Sequence, residues 1–258
     1  IQEYEPFTFP MGTYAALANE SYGFPHHPLF SSKLLKEYFE LNQLGIYAKE
    51  KGRDLTKAAI FENAIATFDI NAETLEKRAY NRVLFYARPE PPASRNMFET
   101  GILALKQAVE KGIFDDTWEF WAAGTAYGEI PLGKGRRLKM IGKLSLDAYQ
   151  KTLTEFDLGI SLMYTPHPSL VPIEMAAAGM VVITTNCLNK TAEKMAAISP
   201  NIVGVEASVR AIVDGLANGI EQCGDIERRI AGADVNWPKS WDESLPTTLI
   251  HTMVEWFD

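Results

Sequence analysis

The regular alternation of apolar strands with helices from about residue 80 constrains the fold of this chain more than any other feature. "RVLFYA" (82–87) is rich in β-branched and aromatic residues, and apolar residues recur at helical spacing in the next segment, "NMFETGILALKQAVEKG" (96–112). The alternation continues to about residue 221. Strands that are apolar throughout are typical of a parallel sheet covered by helices on both faces. The pattern therefore predicts an α/β fold.

Six strands and five helices can be assigned in this region. The predicted strands are 82–87, 118–124, 137–144, 158–164, 180–185 and 201–206. The predicted helices are 96–112, 145–156 with Ser145 as N-cap, 173–179, 189–197 and 208–221. This number of units fits a doubly wound, Rossmann-like parallel sheet. In such sheets ligands bind outside the carboxyl ends of the strands, so the loops after the strands are expected to carry the site.

The segments on either side follow a different pattern. "TYAALANESYGF" predicts a helix from about Thr13, residues 31–45 predict a second helix, and residues 60–69 predict a short strand. The last segment, about 241–257, predicts one amphipathic helix that buries Trp256 and Phe257.

Composition and charge exclude several classes of function. The formal net charge of −8 argues against general nucleic-acid binding, which needs a basic surface. Cys187 and Cys223 form neither a disulfide framework nor a metal-ligand spacing, so we expect two free thiols in a cytoplasmic protein. No apolar run in the sequence approaches the length of a membrane span.

The stretch "TPHPSLVPIEMAAAGMVVITT" (165–185) leads from a loop into a short helix. The N-terminus of that helix offers backbone N–H groups and a positive dipole end to an anion, and Ser169 adds a hydroxyl. Glu174, which we expect in the first turn, can accept two hydrogen bonds from a vicinal diol such as a ribose. Alternatively, Glu174 merely favours the helix dipole. His167 either contacts a ligand or shapes the turn, and the sequence leaves both open.

A second loop, "ARPEPPASRN" (87–96), leaves the first strand of the sheet at the same edge. Its arginines, Arg88 and Arg95, can clamp a diphosphate and stabilise negative charge on a departing phosphate. The alternative is that both are solvated loop residues.

Two other motifs do not carry the chemistry that they suggest. "GEIPLGKG" (128–135) is close to a phosphate-binding loop, but its last position is Gly135 in place of a magnesium-binding hydroxyl, and a strand follows instead of a helix. Its glycines and Lys134 are nevertheless expected to flank the donor site. No G-x-G-x-x-G follows a predicted strand, which argues against a dinucleotide dehydrogenase.

The run from 82 to 185 resembles the C-terminal domain of a GT-B glycosyltransferase of family 4. Arg88 and Arg95 match two basic, phosphate-contacting positions of that family, and Glu174 in "PIEMAAAG" matches the second Glu of its Glu-x7-Glu motif, which holds the donor ribose. The first Glu falls on Pro166, and His167, Pro168 and Ser169 replace a Gly-aromatic-Gly run. Together with "QEYEPFTFPMGTYAALANESY", the pattern is similar to bacterial polysaccharide rhamnosyltransferases.

The resemblance implies a retaining, metal-free transfer of a sugar from a nucleotide donor. Rhamnose from dTDP-rhamnose is the implied donor, with a UDP-sugar as the other option, and the acceptor is a glycan or lipid-linked glycan of a growing surface polysaccharide. No cofactor and no metal are implied, and a peripheral position at the inner membrane is compatible with a cytoplasmic enzyme. The residues implied in donor binding lie after two strands: Gly142, Lys143, Leu144, His167, Pro168, Ser169, Leu170 and Glu174. Arg88, Arg95 and Glu174 are the implied catalytic residues.

The same resemblance divides the chain into three parts. Residues 1–79 are expected to be the end of an acceptor-side N-terminal domain and its connection, with "EYEPFTFPMG" lining the cleft; residues 80–222 form the nucleotide-sugar-binding domain, and residues 223–258 a tail with a crossing helix. The acceptor-side domain is only partial, so the chain is expected to belong to a longer protein. A non-catalytic binding or assembly module is the main alternative, and a sugar-nucleotide epimerase of similar architecture is a weaker one.

Overall fold

The computed structural model describes residues 1–48, 57–76, 81–125, 128–142 and 145–256. Its main element is a seven-stranded sheet with the order β5-β6-β4-β3-β7-β8-β9. The strands are β1 (Leu29–Phe30), β2 (Ala59–Ile60), β3 (Asn81–Ala87), β4 (Trp118–Gly124), β5 (Ile130–Gly133), β6 (Arg136–Gly142), β7 (Leu158–Ile160), β8 (Val181–Thr185) and β9 (Ile202–Val205). All neighbouring pairs in the large sheet are parallel except β5 and β6. The predicted α/β class is confirmed.

Helices connect the parallel strands, as a doubly wound sheet requires. The α-helices are α1 (Thr13–Ser21), α2 (Lys33–Leu41), α3 (Ala72–Glu76), α4 (Phe98–Glu110), α5 (Leu146–Leu153), α6 (Leu170–Ala177), α7 (Ala192–Ala196), α8 (Val209–Cys223), α9 (Ile226–Ala233), α10 (Trp241–Ser244) and α11 (Thr247–Val254). Short 3-10 helices span Glu5–Thr8, Gly45–Tyr47 and Pro91–Asn96. Ser145 caps α5, as predicted, because its hydroxyl accepts the N–H of Ala148.

The two-residue period of the strands assigns each side chain to one of two hydrophobic layers. Val83, Phe85 and Ala87 of β3 pack on the face covered by α4 and α8. Leu84 and Tyr86 point to the other face, where α5 and α6 pack. After Asn81 and Arg82 at its amino end, β3 has no polar side chain before Tyr86.

The sheet has one strand more than the six predicted. Residues 130–133, expected in a loop, form β5, which pairs with β6 in an antiparallel hairpin. The turn of this hairpin precedes β6 and lies at the amino edge of the sheet, where Lys134 donates to the carbonyl of Glu110 at the end of α4. The expectation that Lys134 flanks the donor site is therefore wrong.

The predictions for the flanking segments are confirmed in part. Helices α1 and α2 occupy the predicted positions. The strand predicted over 60–69 is wrong beyond Ile60, because β2 covers Ala59–Ile60 alone and pairs in parallel with β1. The predicted C-terminal helix is broken into α10 and α11 at Pro246, which cannot continue a helix from its preceding residue.

Trp256 is half-buried against the ring of His27, so its expected burial is confirmed only in part. Phe257 lies outside the described residues. None of the described helices is long and apolar enough to cross a membrane.

A buried ion pair joins the sheet to α9 at the amino edge. Arg229 Nη2 lies 3.2 Å from Asp157 Oδ1, and the side chains are 2% and 4% exposed. Arg229 also donates to the carbonyls of Gly179 (2.8 Å) and Cys223 (3.2 Å). Asp157, which directly precedes β7, accepts the N–H of Arg82 at 2.9 Å. The pair thus ties β3, β7 and two helices together.

Candidate functional site

Four side chains form a linked row at the carboxyl edge of the sheet. Arg88 Nη1 donates to the hydroxyl of Tyr86 at 3.0 Å, and the Tyr149 hydroxyl donates to Glu174 Oε2 at 3.1 Å. The two tyrosines are near enough for Tyr86 to raise the pKa of Tyr149, although burial and Glu174 raise it more. The row therefore brings together two of the residues that the sequence predicted, Arg88 and Glu174.

The sheet geometry explains why these residues meet. Tyr86 is the last large side chain of β3 on the face covered by α5 and α6, while Tyr149 belongs to α5 and Glu174 to α6. Arg88 follows β3 directly, so it lies at the end of the strand, where the backbone leaves the sheet. The end of β3 and the two helices packed on one face of the sheet thus bring together a cation, two phenols and a carboxylate.

Glu174 lies deeper in its helix than the sequence indicated. Helix α6 begins at Leu170, so Glu174 is the fifth helical residue, and the prediction of a first-turn position is wrong. Pro172 sits in the first turn, where its missing N–H costs no internal hydrogen bond. Burial raises the pKa of Glu174, against the opposing effects of the Tyr149 hydroxyl and the N–H of Ala66. A mere dipole-favouring role in the first turn is thereby excluded.

The loop before α6 is compact and mostly buried. Pro168 and His167 are buried, and Ser169 adopts a left-handed backbone with φ of 66° just before Leu170 opens the helix. The Ser169 hydroxyl makes no capping bond to the helix. Its N–H instead donates to His167 Nδ1 at 3.0 Å. His167 therefore shapes the turn, which is one of its two predicted roles.

The loops after β4 and β6 approach this row from the other side. Gly124 has a φ of 146°, and a Cβ there would lie 1.8 Å from the carbonyl oxygen of Ala87, so the ends of β3 and β4 can approach only with glycine. Gly142 ends β6 with a φ of 81°, and a Cβ built on it would meet no atom within 4 Å. Lys143 and Leu144, which the sequence also predicted in the donor site, lie outside the described residues.

Both predicted arginines have carboxylate neighbours. Arg88 Nε lies 3.1 Å from Glu90 Oε2, with Arg88 38% exposed. Arg95 Nε lies 3.7 Å from Glu3 Oε2, and Arg95 Nη1 donates to the carbonyl of Pro92 at 3.2 Å. The alternative that both are solvated loop residues is wrong for Arg95, whose side chain is 28% exposed.

Sequence reasoning missed three of these residues. Tyr86 carried a usable signal, since it is a polar-tipped residue at the carboxyl end of a predicted strand. Glu3 begins the segment "EYEPFTFPMG" that the sequence placed along the cleft, but neither Glu3 nor Tyr149 was singled out, because their roles depend on helix packing and on contacts between distant parts of the chain.

A cavity of about 720 Å³ lies at the same edge of the sheet, after the ends of β7, β8 and β9. Tyr164 lines it with a ring that is 56% exposed, and Asn186, Thr191, Glu206 and Ser208 contribute polar groups. Neither Arg88 nor Glu174 lines this cavity.

Comparison with known proteins assigns the chain to a family. A profile of the family described as WsaF, C-terminal domain, matches residues 81–217. The chain belongs to this family. The match begins at β3 and ends within α8, so the WsaF-type domain contains Arg88, Arg95, Tyr149 and Glu174.

The O-antigen biosynthesis protein RfbC of Myxococcus xanthus is 30% identical to the chain over 224 residues, which are 85% of the chain and 16% of RfbC. The chain thus spans about a sixth of the length of this curated relative.

Solved structures share the fold at low identity. HepE of Anabaena, in complex with UDP and glucose, superposes with a TM-score of 0.63 at 13% identity, over 99% of this chain and 70% of HepE. A glycosyltransferase of Rickettsia africae superposes with a TM-score of 0.59 at 16% identity, over 87% of this chain and 62% of its own. WaaG, a glycosyltransferase of lipopolysaccharide biosynthesis, superposes with a TM-score of 0.61 at 14% identity, over 92% of this chain and 66% of WaaG. The chain therefore has a partial GT-B fold.

Proposed function

We propose that this chain is the donor-binding part of a glycosyltransferase that builds O-antigen or a related surface polysaccharide. The linked row from Arg88 through Tyr86 and Tyr149 to Glu174 carries the proposal, because it combines a cation for phosphate with a carboxylate for a diol. Membership of the WsaF family and the similarity to RfbC support the polysaccharide context. The fold shared with HepE in complex with UDP-glucose supports a nucleotide sugar as the donor.

Several of the predicted residues have a role in this proposal. Glu174 accepts the two hydroxyls of the ribose, and the first turn of α6 after Ser169 offers its N–H groups to the diphosphate. Arg88 neutralises the charge that develops on the diphosphate as the bond between its oxygen and the sugar breaks. Gly142 leaves the end of β6 open for the base. The family resemblance assigns Lys143 and Leu144 to the same part of the donor. Pro168 fixes the approach of the chain to α6.

The finer assignments follow from the resemblance to family 4. We propose a retaining reaction without a metal, with rhamnose transferred from dTDP-rhamnose and a UDP-sugar as the alternative donor. The acceptor is a glycan or lipid-linked glycan, for which the cavity beside Tyr164 offers polar groups and an exposed aromatic ring. Such an enzyme would work in the cytoplasm, at the inner face of the membrane.

Calorimetric titration of the chain with dTDP, UDP, GDP and ADP tests the donor site. We expect dTDP or UDP to bind, and Glu174→Gln to weaken binding by about 1–3 kcal/mol, the scale of a lost charged hydrogen bond. Glu221→Gln, an exposed change on α8, is the matched control and should leave binding unchanged. A folded wild-type chain that binds none of the four nucleotides would contradict the proposal.

One observation favours a second candidate, a module that binds a nucleotide sugar without transferring it. Pro166 stands at the position of the first Glu of the family 4 motif, so one carboxylate is absent from that loop. A transfer assay on the parent protein separates the two functions. Loss of transfer in Glu174→Gln with normal folding supports catalysis, whereas a wild-type parent that binds donor but transfers nothing supports the module.

A further inference from the structure

A buried polar cluster lies where the N-terminal segment meets the loop before α6. We call it the Glu3 cluster, and it consists of Glu3, Arg95, Thr165, His167 and Lys190. Glu3, Thr165, His167 and Lys190 are 6%, 0%, 6% and 0% exposed. Arg95 and Lys190 act electrostatically on both Glu3 and His167, so these groups share one location.

The cluster leaves donors and acceptors unmatched even though they lie close together. Glu3 Oε2 is 3.7 Å from Arg95 Nε, which exceeds hydrogen-bond length. Arg95 Nε and His167 Nε2 are buried and have no hydrogen-bond partner among the described residues. The Thr165 hydroxyl lies close enough to the Glu3 carboxyl to lower its pKa as a hydrogen-bond donor does. Buried polar atoms without partners are rare in folded proteins and call for an explanation such as a ligand.

The tautomer of His167 decides whether its Nε2 atom is a hydrogen-bond donor or an acceptor. Its Nδ1 accepts the N–H of Ser169, so Nδ1 carries no proton. Burial lowers the pKa of His167 to about 4, so the ring is neutral at pH 7 and its proton is on Nε2. Nε2 is therefore a buried donor, like Arg95 Nε. The Ser31 backbone acts on the ring and raises the pKa of His167, but it is outside hydrogen-bond geometry from Nε2. The Glu3 carboxyl is the acceptor beside Arg95.

We propose that Glu3 binds a hydroxyl group of the donor sugar, and that Arg95 and His167 donate hydrogen bonds to the same sugar. This inference rests on the proposed function and extends it from the nucleotide to the sugar. It gives Glu3 and Thr165 a binding role, and it moves Arg95 from the diphosphate to the sugar.

A hydroxyl group fits the cluster better than a phosphate oxygen. It can donate to the Glu3 carboxylate and accept from Arg95 Nε or His167 Nε2 at the same time, which satisfies both kinds of unmatched atom. A phosphate would place a second anion beside the Glu3 carboxylate, and like charges at such a distance repel. The loop that lost a carboxylate at Pro166 is next to Thr165, so Glu3 supplies one from another segment.

The electrostatics of the cluster agree with this role. Burial raises the pKa of Glu3 to about 7. Four neighbours act in the opposite direction and lower it: the backbone N–H of Tyr4 and the side chains of Arg95, Thr165 and Lys190. Burial also lowers the pKa of Lys190 to about 8, and its amine donates to the carbonyl of Met163 at 2.7 Å. Two further titratable groups lie near Glu3, the Cys187 thiol and the Tyr22 hydroxyl. Burial raises the pKa of each, and the charge of Glu3 adds to the rise.

The first test compares a nucleoside diphosphate with its nucleotide sugar. Titrations of the chain with UDP, UDP-glucose, dTDP and dTDP-rhamnose are repeated with Glu3→Gln and with the exposed control Glu5→Gln. We expect Glu3→Gln to weaken the binding of one of the nucleotide sugars by on the order of tenfold, the scale of a lost charged hydrogen bond. The affinities for UDP and dTDP should remain unchanged. Glu5→Gln should change none of the four.

A second readout needs no mutation and would not respond to a purely structural role. The carboxyl carbon of Glu3, labelled with carbon-13, is titrated by NMR in the free chain, in the complex with the nucleoside diphosphate and in the complex with its nucleotide sugar. A sugar hydroxyl that donates to the carboxylate stabilises its charged form. We therefore expect the pKa of Glu3 to be lower with the nucleotide sugar than with the nucleoside diphosphate.

The outcomes separate this inference from the proposed function. Glu3 does not bind the sugar if Glu3→Gln lowers the affinity for the nucleoside diphosphate and for the nucleotide sugar equally, or lowers neither. Only this inference is then overturned. The same conclusion follows if the pKa of Glu3 is equal in both complexes. If the wild-type chain binds no nucleotide at all, the proposed function fails and this inference fails with it.

Discussion

The two edges of the sheet each hold an Arg–carboxylate pair, and the pairs differ in separation, in burial and in the number of backbone carbonyl groups that the arginine binds. At the amino edge, Arg229 lies 3.2 Å from Asp157 and both side chains are almost fully buried. Arg229 Nε and Nη1 donate to two carbonyl groups and Asp157 accepts a backbone N–H, although Arg229 Nη2 itself makes no hydrogen bond among the described residues. At the carboxyl edge, Arg95 lies 3.7 Å from Glu3, and its Nε has no hydrogen-bond partner among the described residues.

This difference indicates two different purposes for the same residue types. A fully buried pair that also binds backbone groups of several elements holds those elements in one arrangement. A wider pair, whose arginine is 28% exposed, can accept a ligand that supplies further hydrogen bonds. The closer pair lies at the edge where doubly wound sheets carry no site, and the wider pair at the edge where they bind ligands.

The largest expected effect is on stability at the amino edge. Arg229→Met leaves Asp157 buried without its cation, which costs about 3–5 kcal/mol when one partner of a buried pair is removed. Chemical denaturation should show this loss, while Arg210→Met, a change at an exposed arginine of α8, should have little effect. A loss below about 1 kcal/mol would mean that the pair does not hold the fold.

The second effect concerns how stability depends on pH at the carboxyl edge. Because the pKa of Glu3 rises to about 7 on folding, the folded state binds this proton more tightly than the unfolded state does. Its contribution is therefore most favourable below about pH 4.5 and is lost as the pH rises to about 7. Glu3→Gln removes this dependence.

The measurement is the free energy of unfolding of wild type and Glu3→Gln at pH 5 and pH 8. Relative to the wild type, the free energy of unfolding of the variant should increase by up to about 2–3 kcal/mol from pH 5 to pH 8, since the rise in the pKa of Glu3 corresponds to a free energy on that scale. Taking the difference between the two proteins cancels the other titrating groups. An equal difference at both pH values would contradict the raised pKa.

The third effect is on ligand affinity. Arg88→Ala should weaken the binding of dTDP or UDP by about 2 kcal/mol, because a charge-assisted bond to a phosphate is lost. Calorimetry measures the change, and Arg137→Ala, at an exposed arginine of β6, serves as the control. Unchanged affinity in Arg88→Ala would place the diphosphate elsewhere.

The smallest effect concerns the linked row. Tyr149→Phe removes the hydroxyl that donates to Glu174 at 3.1 Å, so it should lower stability by about 1 kcal/mol and raise the pKa of Glu174 further. Tyr14→Phe, at a residue that is 71% exposed, is the control. If carbon-13 NMR finds the same pKa for Glu174 in Tyr149→Phe and wild type, the hydroxyl does not stabilise the carboxylate.

The parts of the molecule that the sequence predicted are those that repeat a local period. Strands β3, β4 and β8 were found because their apolar residues run continuously, and Ser145 because it precedes a helical pattern. The start of α6 was placed too late, since Pro166, Pro168 and Pro172 suggested a longer loop. Pro172 is tolerated in a first turn, where no internal N–H is needed.

The parts that the sequence did not predict depend on long-range packing. β5 was missed because Pro131 and the flanking glycines are typical of a loop, yet Pro can occupy an edge strand. The Glu3 cluster was missed because its members are separated along the chain and meet only after the N-terminal segment packs on the loop before α6. No local pattern marks a carboxylate whose partners come from other elements.

The most direct test of the contrast between the two edges is an NMR titration of the chain with dTDP and UDP. We predict that the backbone amide shifts change at Arg88, Ser169, Leu170 and Glu174, and remain unchanged around Asp157 and Arg229. Shift changes concentrated at the amino edge, or none at the carboxyl edge while nucleotide binds, would contradict this account of the site.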